Sequence, residues 1–152
     1  MSAPELQLTY RSDEEWTGEI IATVKSGVFS ARGSAWFDRT HVKQTFLAAL
    51  RSFPFSLTDS PMIEGGFWSE RNQGTLDQCH LRIIIKPHNE RGTLLVFVEL
   101  ATESWKTSDA DLQNRATICF LTEYAMVDVF AEHFEQVLDG KRDVAALRGI
   151  TN

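Results

Sequence analysis

Apolar and polar positions alternate along the chain in two distinct rhythms, and the stretch from Asn114 to Gly140 carries both in succession. Over Ala116 to Leu121, the two-residue strand period sends Ile118 and Phe120 to one side of a sheet and Cys119 and Leu121 to the other. Apolar residues on both faces predict a strand covered on both sides or set centrally in its sheet. Met126, Phe130, His133 or Phe134, and Val137 or Leu138 then recur three or four residues apart. That spacing predicts a helix docked by its Phe-bearing stripe, with Asp128, Glu132, Glu135, Gln136 and Asp139 mostly on the opposite side. Gly140 suits a left-handed C-terminal cap, and Lys141 and Arg142 follow where cations complement the helix dipole.

An earlier stretch has the same grammar. Ser34 to Phe37 reads as a strand end, Val42, Phe46, Leu47, Leu50 and Phe53 follow at helical spacing, and Pro54 stops the helix. Phe46 and Phe130 are 84 residues apart, as are Leu50 and Phe134, while Phe37 and Phe120 are 83 apart. The near-constant offset suggests an internal duplication of a strands-then-helix unit, although two helices packed on one sheet can share such anchors without it.

The remaining strands follow from alternation and turn chemistry. Leu6 to Arg11 is a strand with one wet face, and Trp16 to Lys25 a second; Ser26-Gly27 turns the chain into a third, Val28 to Phe37. In that third strand Phe29, Ala31, Gly33, Ala35 and Phe37 share a face of mostly small residues, which predicts close approach of the first helix; Trp36 reads as core. Pro54 to Glu64 is turn-rich and marks the boundary between halves, and Gly65 to Ser69 reads as a short strand. Cys79 to His88 and Thr93 to Thr102 form a hairpin about Asn89-Glu90-Arg91-Gly92. A four-residue loop sets Arg82 against Glu99, Ile84 against Phe97 and Lys86 against Leu95. Ser108 to Leu112 could form one helical turn, and Asp143 to Leu147 reads as a short helix. The expected fold is α+β: one antiparallel sheet of about six to seven strands with two main helices on one face.

Composition narrows the class. At 152 residues the chain fits a single globular domain spanning residues 1–152, long enough to bury about 70% of its unfolded surface. A net charge of −6 argues against nucleic acid or an anionic membrane as partner and leaves a basic protein compatible. The sequence has no apolar run of roughly 20 residues and no leader at its N-terminus, which predicts a cytoplasmic protein. Cys79 and Cys119 lack metal or redox spacing and read as small buried apolar residues.

Candidate chemistry is sparse. His80, Arg82, Lys86 and His88 share a strand face as a solvated cationic stripe, but His80 and His88 are about 26 Å apart and cannot bind one ion. The sequence contains no Gly-x-Ser-x-Gly, His-Glu-x-x-His or phosphate loop, so no catalytic residue, metal or cofactor is assigned. Asp128, Glu132, Glu135 and Asp139 repel one another at helical spacing, a cost that a basic partner could relieve. Trp68 and Trp105, at strand ends or in loops, are anchor candidates for a protein interface.

Several positions together resemble the small immunity proteins of bacterial polymorphic toxin systems, especially the WapI-like group. They are Gly27-x-Phe29-Ser30-x-x-Gly33-Ser34-x-Trp36-Phe37, Phe46-x-x-x-Leu50, Gly92-x-Leu94-x-Val96-x-Val98 and Phe120-x-Thr122-Glu123-Tyr124, with Phe130, Phe134 and Leu138. The resemblance implies a cytoplasmic, non-enzymatic protein that neutralises a cognate toxin by binding it. Contact residues differ among members of such families, so it implies no site residues. Two other readings stay open: a small-ligand module with a cavity lined by Phe37, Phe46, Phe97 and Phe130, and a homodimeric adaptor pairing through an edge strand such as Leu6 to Arg11.

Overall fold

A computed structural model describes residues 2–104 and 112–151. The strands are β1 (Glu5–Ser12), β2 (Thr17–Ser26), β3 (Phe29–Asp38), β4 (Met62–Trp68), β5 (Leu76–Pro87), β6 (Thr93–Ala101), β7 (Arg115–Glu123) and β8 (Ala145–Arg148). Helix α1, residues 39–50, runs as α-helix over Arg39–Val42, as a π-turn over Lys43–Leu47 and as α-helix again over Ala48–Leu50. Helix α2 spans Tyr124–Leu138.

The α+β class holds, but the strands form two antiparallel sheets of four, ordered β3-β2-β1-β8 and β4-β5-β6-β7, in place of one sheet of six or seven. The split arises because the strand after each helix crosses over. β4 pairs with β5, the first strand of the second half, and β8 pairs with β1, the first strand of the first half. Each half therefore runs strand, strand, strand, helix, strand and completes the other's sheet.

The registers equate the halves residue by residue. Leu6 and Leu8 correspond to Leu81 and Ile83, and Ile20, Ala22 and Val24 to Val96, Val98 and Leu100; all ten are buried. Ala35 corresponds to Phe120 and Val42 to Val127, 85 residues apart, so Phe37 matches Thr122 and not Phe120. From Phe46, within the π-turn, onward the offset is 84, between Phe46 and Phe130 and between Leu50 and Phe134. A π-turn takes one residue more than an α-turn, which accounts for the step.

The helices lie side by side and antiparallel. Phe134 meets Phe46 edge-on at 6.0 Å between ring centroids, Arg39 Nη1 donates to the carbonyl of Leu138, and Arg51 reaches Glu132 and Glu135. They span both sheets, α1 against β3 and β4 and α2 against β8, β1 and β7, not one face of a single sheet. On α2 the buried stripe is Val127, Phe130, Ala131, Phe134, Val137 and Leu138; Met126, expected on it, is exposed. Gly140 takes the left-handed conformation (φ 75°), and the Lys141 N–H donates to the carbonyl of Gln136.

Other expectations need correction. Asp143 to Leu147 is not helical: Ala145 and Leu147 alternate into the core as part of β8, with Leu147 opposite Leu6. The small residues of β3 make room for the second sheet and for β4. A Cβ on Gly33 would stand 3.1 Å from Leu100 Cβ, and one on Gly65 would meet the Phe37 ring at 2.6 Å. β7 is an edge strand, wet on one face, which leaves Cys119 exposed. The Ser108 to Leu112 turn falls largely outside the described residues.

Candidate protein-interaction surface

At the end of β3 the strand period turns Ala35 inward (2% exposed) and therefore Trp36 outward, 47% exposed and opposite Glu19 of β2. Arg11 and Ser34 both bond the Glu19 carboxylate, Ser34 Oγ at 2.7 Å, so the polar row beside the indole is fixed. Asp38 then caps α1, its Oδ1 accepting from the His41 N–H at 3.0 Å. Helix α1 follows without a loop and sets His41 and Thr45 one turn apart. Across from it β4 turns Ile63 inward and Met62 and Glu64 outward, and ends at Trp68.

These elements enclose an open groove of about 440 Å³ whose lining includes Trp36, Phe37, His41, Thr45, Met62 and Trp68, together with Asp38 and Glu64. Met62 and Trp68 are 45% and 49% exposed. Two indoles and a thioether around one hollow make a surface suited to recognition.

The groove follows the seam between the sheets. Among the described residues, β3 and β4 are sheet edges that pair with no strand across the seam. The corresponding seam between β7 and β8 is closed by the chain itself. The Ile150 N–H donates to the carbonyl of Leu121 at 2.7 Å, and Thr122 Oγ1 to that of Arg148 at 2.7 Å. Topology explains the difference. The seven residues from Ser69 to Thr75 hold Trp68 on β5, opposite Leu76, whereas the residues after β8 cross to β7.

Of the residues proposed from sequence, Trp68 lies in this groove and Trp105 lies outside the described residues. Asp128, Glu132 and Glu135 sit on α2 away from the groove, and the two glutamates have a partner within the chain. Arg51, which caps the C-terminus of α1, lies 3.4 Å from Glu132 and 3.3 Å from Glu135, and Lys43 pairs with Asp139. The repulsion expected along this face is thus eased by α1. Trp36 was expected in the core; the legible signal against that is its own face of β3, shared with Ser30, Arg32, Ser34 and Asp38.

The histidine stripe does not form as expected. His80 is 2% exposed because β5 bulges against β4, where Gly65 opposes Leu81 and Gly66 opposes Cys79. Its ring packs edge-on to Phe67 at 4.5 Å between centroids, with Nε2 2.9 Å from Gln78 Oε1. Burial pushes the His80 pKa down, opposed by the Glu103 carboxylate. Burial likewise pushes the Cys79 thiol up. Arg82 stands between Glu64 and Glu99, at 2.9 and 3.3 Å, so this strand face is a paired ladder.

Two further expectations lose their geometric basis. Phe46 and Phe130 are fully packed, Phe97 lies on the outer face of its sheet opposite Cys119, and Phe37 lies against Gly65, so the four line no common cavity. β1 is paired on both sides, by β2 and β8, and offers no edge for self-association. Compared with known proteins, the chain matches no family model, no curated protein and no solved structure. No helix among the described residues is long and apolar enough to cross a membrane.

Proposed function

We propose that the chain is a non-enzymatic protein-binding domain that acts as an immunity protein, neutralising a cognate basic toxin by direct contact. The observation that carries this reading is the clustering of exposed Trp36, Met62 and Trp68 around one groove. Aromatic side chains grouped in a hollow are the residues that dominate binding energy at protein interfaces. The net charge of −6 favours a basic partner through long-range steering, a rate effect that salt suppresses. Tagged protein incubated with the products of neighbouring genes should capture one basic product, more at low salt than at high. Trp36→Ala should weaken capture at least tenfold, and the captured product should lose its toxic activity when bound. A blank with those products demonstrably present, or capture indifferent to Trp36→Ala, refutes the proposal.

A further inference from the structure

The two seams differ in what fills them. At the seam between β7 and β8, residues 149 and 150 pass against the edge of β7: the Ile150 N–H donates to the carbonyl of Leu121 at 2.7 Å, while the Gly149 N–H donates to that of Pro4, just before β1, at 2.8 Å. Leu121 of β7 corresponds to Trp36 of β3, both 85 residues apart and both next to an inward residue, Phe120 or Ala35. Among the described residues no segment takes the place of Gly149 and Ile150 at the β3 seam, and Trp36, Met62 and Trp68 stay exposed there. An edge strand with free main-chain groups beside an apolar hollow is the setting in which an extended peptide adds to a sheet.

The charges around the groove select the peptide. Asp38 is among its lining residues, Glu64 beside it is already held by Arg82, and beyond Trp68 a second hollow is lined by Glu70 and Asp77 with Arg71 as the single cation among its lining residues. We infer that the open seam binds an extended segment of another polypeptide carrying an apolar side chain next to a basic one, laid along β3 at Trp36 as residues 149–150 pass against β7 at Leu121. This rests on reading the chain as a protein-binding domain and names the form its partner presents.

The probe is a fluorescein-labelled peptide of sequence Leu-Arg-Gly-Ile-Thr, that of residues 147–151, titrated with the whole protein and read by fluorescence anisotropy. Binding should saturate, weaken as salt is raised, and weaken about tenfold or more in Trp36→Ala and in Met62→Ala, since truncated hot spots cost that much. Met126→Ala, an exposed change on α2, should leave it unchanged. Two side chains serve because both are exposed and neither is needed for the core; circular dichroism confirms that each variant is folded. A flat titration at millimolar protein overturns the inference, and so does binding that survives both groove variants, because the peptide would then sit at the β7 seam or elsewhere. Toxin capture that depends on Trp36 without peptide binding removes this inference and leaves the proposed function standing. Peptide binding without capture of any toxin does the reverse.

Discussion

Replacing Phe130 by Ala tests where the second helix docks. Phe130 has no exposed surface, stacks parallel to Phe134 at 5.8 Å between centroids, and Phe134 in turn meets Phe46 of the other helix. A buried phenyl ring covers roughly 150–250 Å² of surface, worth about 4–6 kcal/mol at ~25 cal/mol per Å² as an upper bound. Alanine keeps a methyl group and the site partly relaxes, so the expected loss is about 3–5 kcal/mol. For a chain of this size each kcal/mol moves the thermal midpoint by about 2–4 °C, which predicts a fall on the order of 10 °C. Urea denaturation followed by circular dichroism reads the loss directly, at an m-value unchanged from wild type. Val129→Ala and Met126→Ala, at 53% and 43% exposure, should stay within about 0.5 kcal/mol, while Val127→Ala, fully buried, should cost more than either. A Phe130→Ala midpoint equal to wild type would refute the docking. A larger loss at Met126 than at Val127 would mean that the helix is rotated about its axis.

Two further outcomes follow from buried polar groups. His80 has a folded-state pKa below its ordinary value of 6.5, so it binds fewer protons folded than unfolded in that window. Stability should therefore be full above about pH 6.5 and fall as pH drops toward the folded value, by at most about 1.4 kcal/mol per pH unit from this group. His80→Gln should flatten that part of a denaturation-versus-pH profile, and an unaltered slope would rule His80 out as its source. The Tyr10 hydroxyl is buried with no hydrogen-bond partner among the described residues, and burial raises its pKa. Tyr10→Phe should leave stability unchanged or raise it by up to about 1 kcal/mol, since it removes a desolvated group. A loss larger than that in a thermal melt would reveal a partner for the hydroxyl.

Local signals proved legible and long-range ones did not. The β5–β6 register of Arg82 with Glu99 and Ile84 with Phe97 follows from a short loop closed at Gly92 (φ 88°). The exchange of β4 and β8 between halves leaves no local mark, because each pairs with a strand whose identity depends on the whole chain. Matching Phe37 to Phe120 by residue type gave an offset of 83, whereas position in the strand gives 85. The π-turn that brings the helices to 84 cannot be seen in hydrophobic spacing alone. The phase of α2 was ambiguous because Met126, Val127, Val129 and Phe130 are all apolar. It is fixed by the direct passage from Glu123 of β7 into Tyr124, with no connecting residue. At the candidate surface Trp68 could be anticipated from its place at a strand end. Trp36 could have been too, had the polarity of its own strand face outweighed the habit of placing tryptophan in the core.

The pairing of β1 with β8 also sets a clock on biosynthesis. β1, β2 and β3 leave the ribosome before the other strands, with hairpins that can form at once, yet the second edge of β1 lacks its β8 neighbour until residues 145–148 are made. At about 5–20 residues per second that interval is on the order of ten seconds, far longer than the microseconds a hairpin needs. For that time the nascent chain presents Leu6 and Leu8 on a strand open along one side, the kind of template on which other nascent chains assemble. Native closure of the first sheet therefore waits for residues 145–148, however early its three-strand meander has formed.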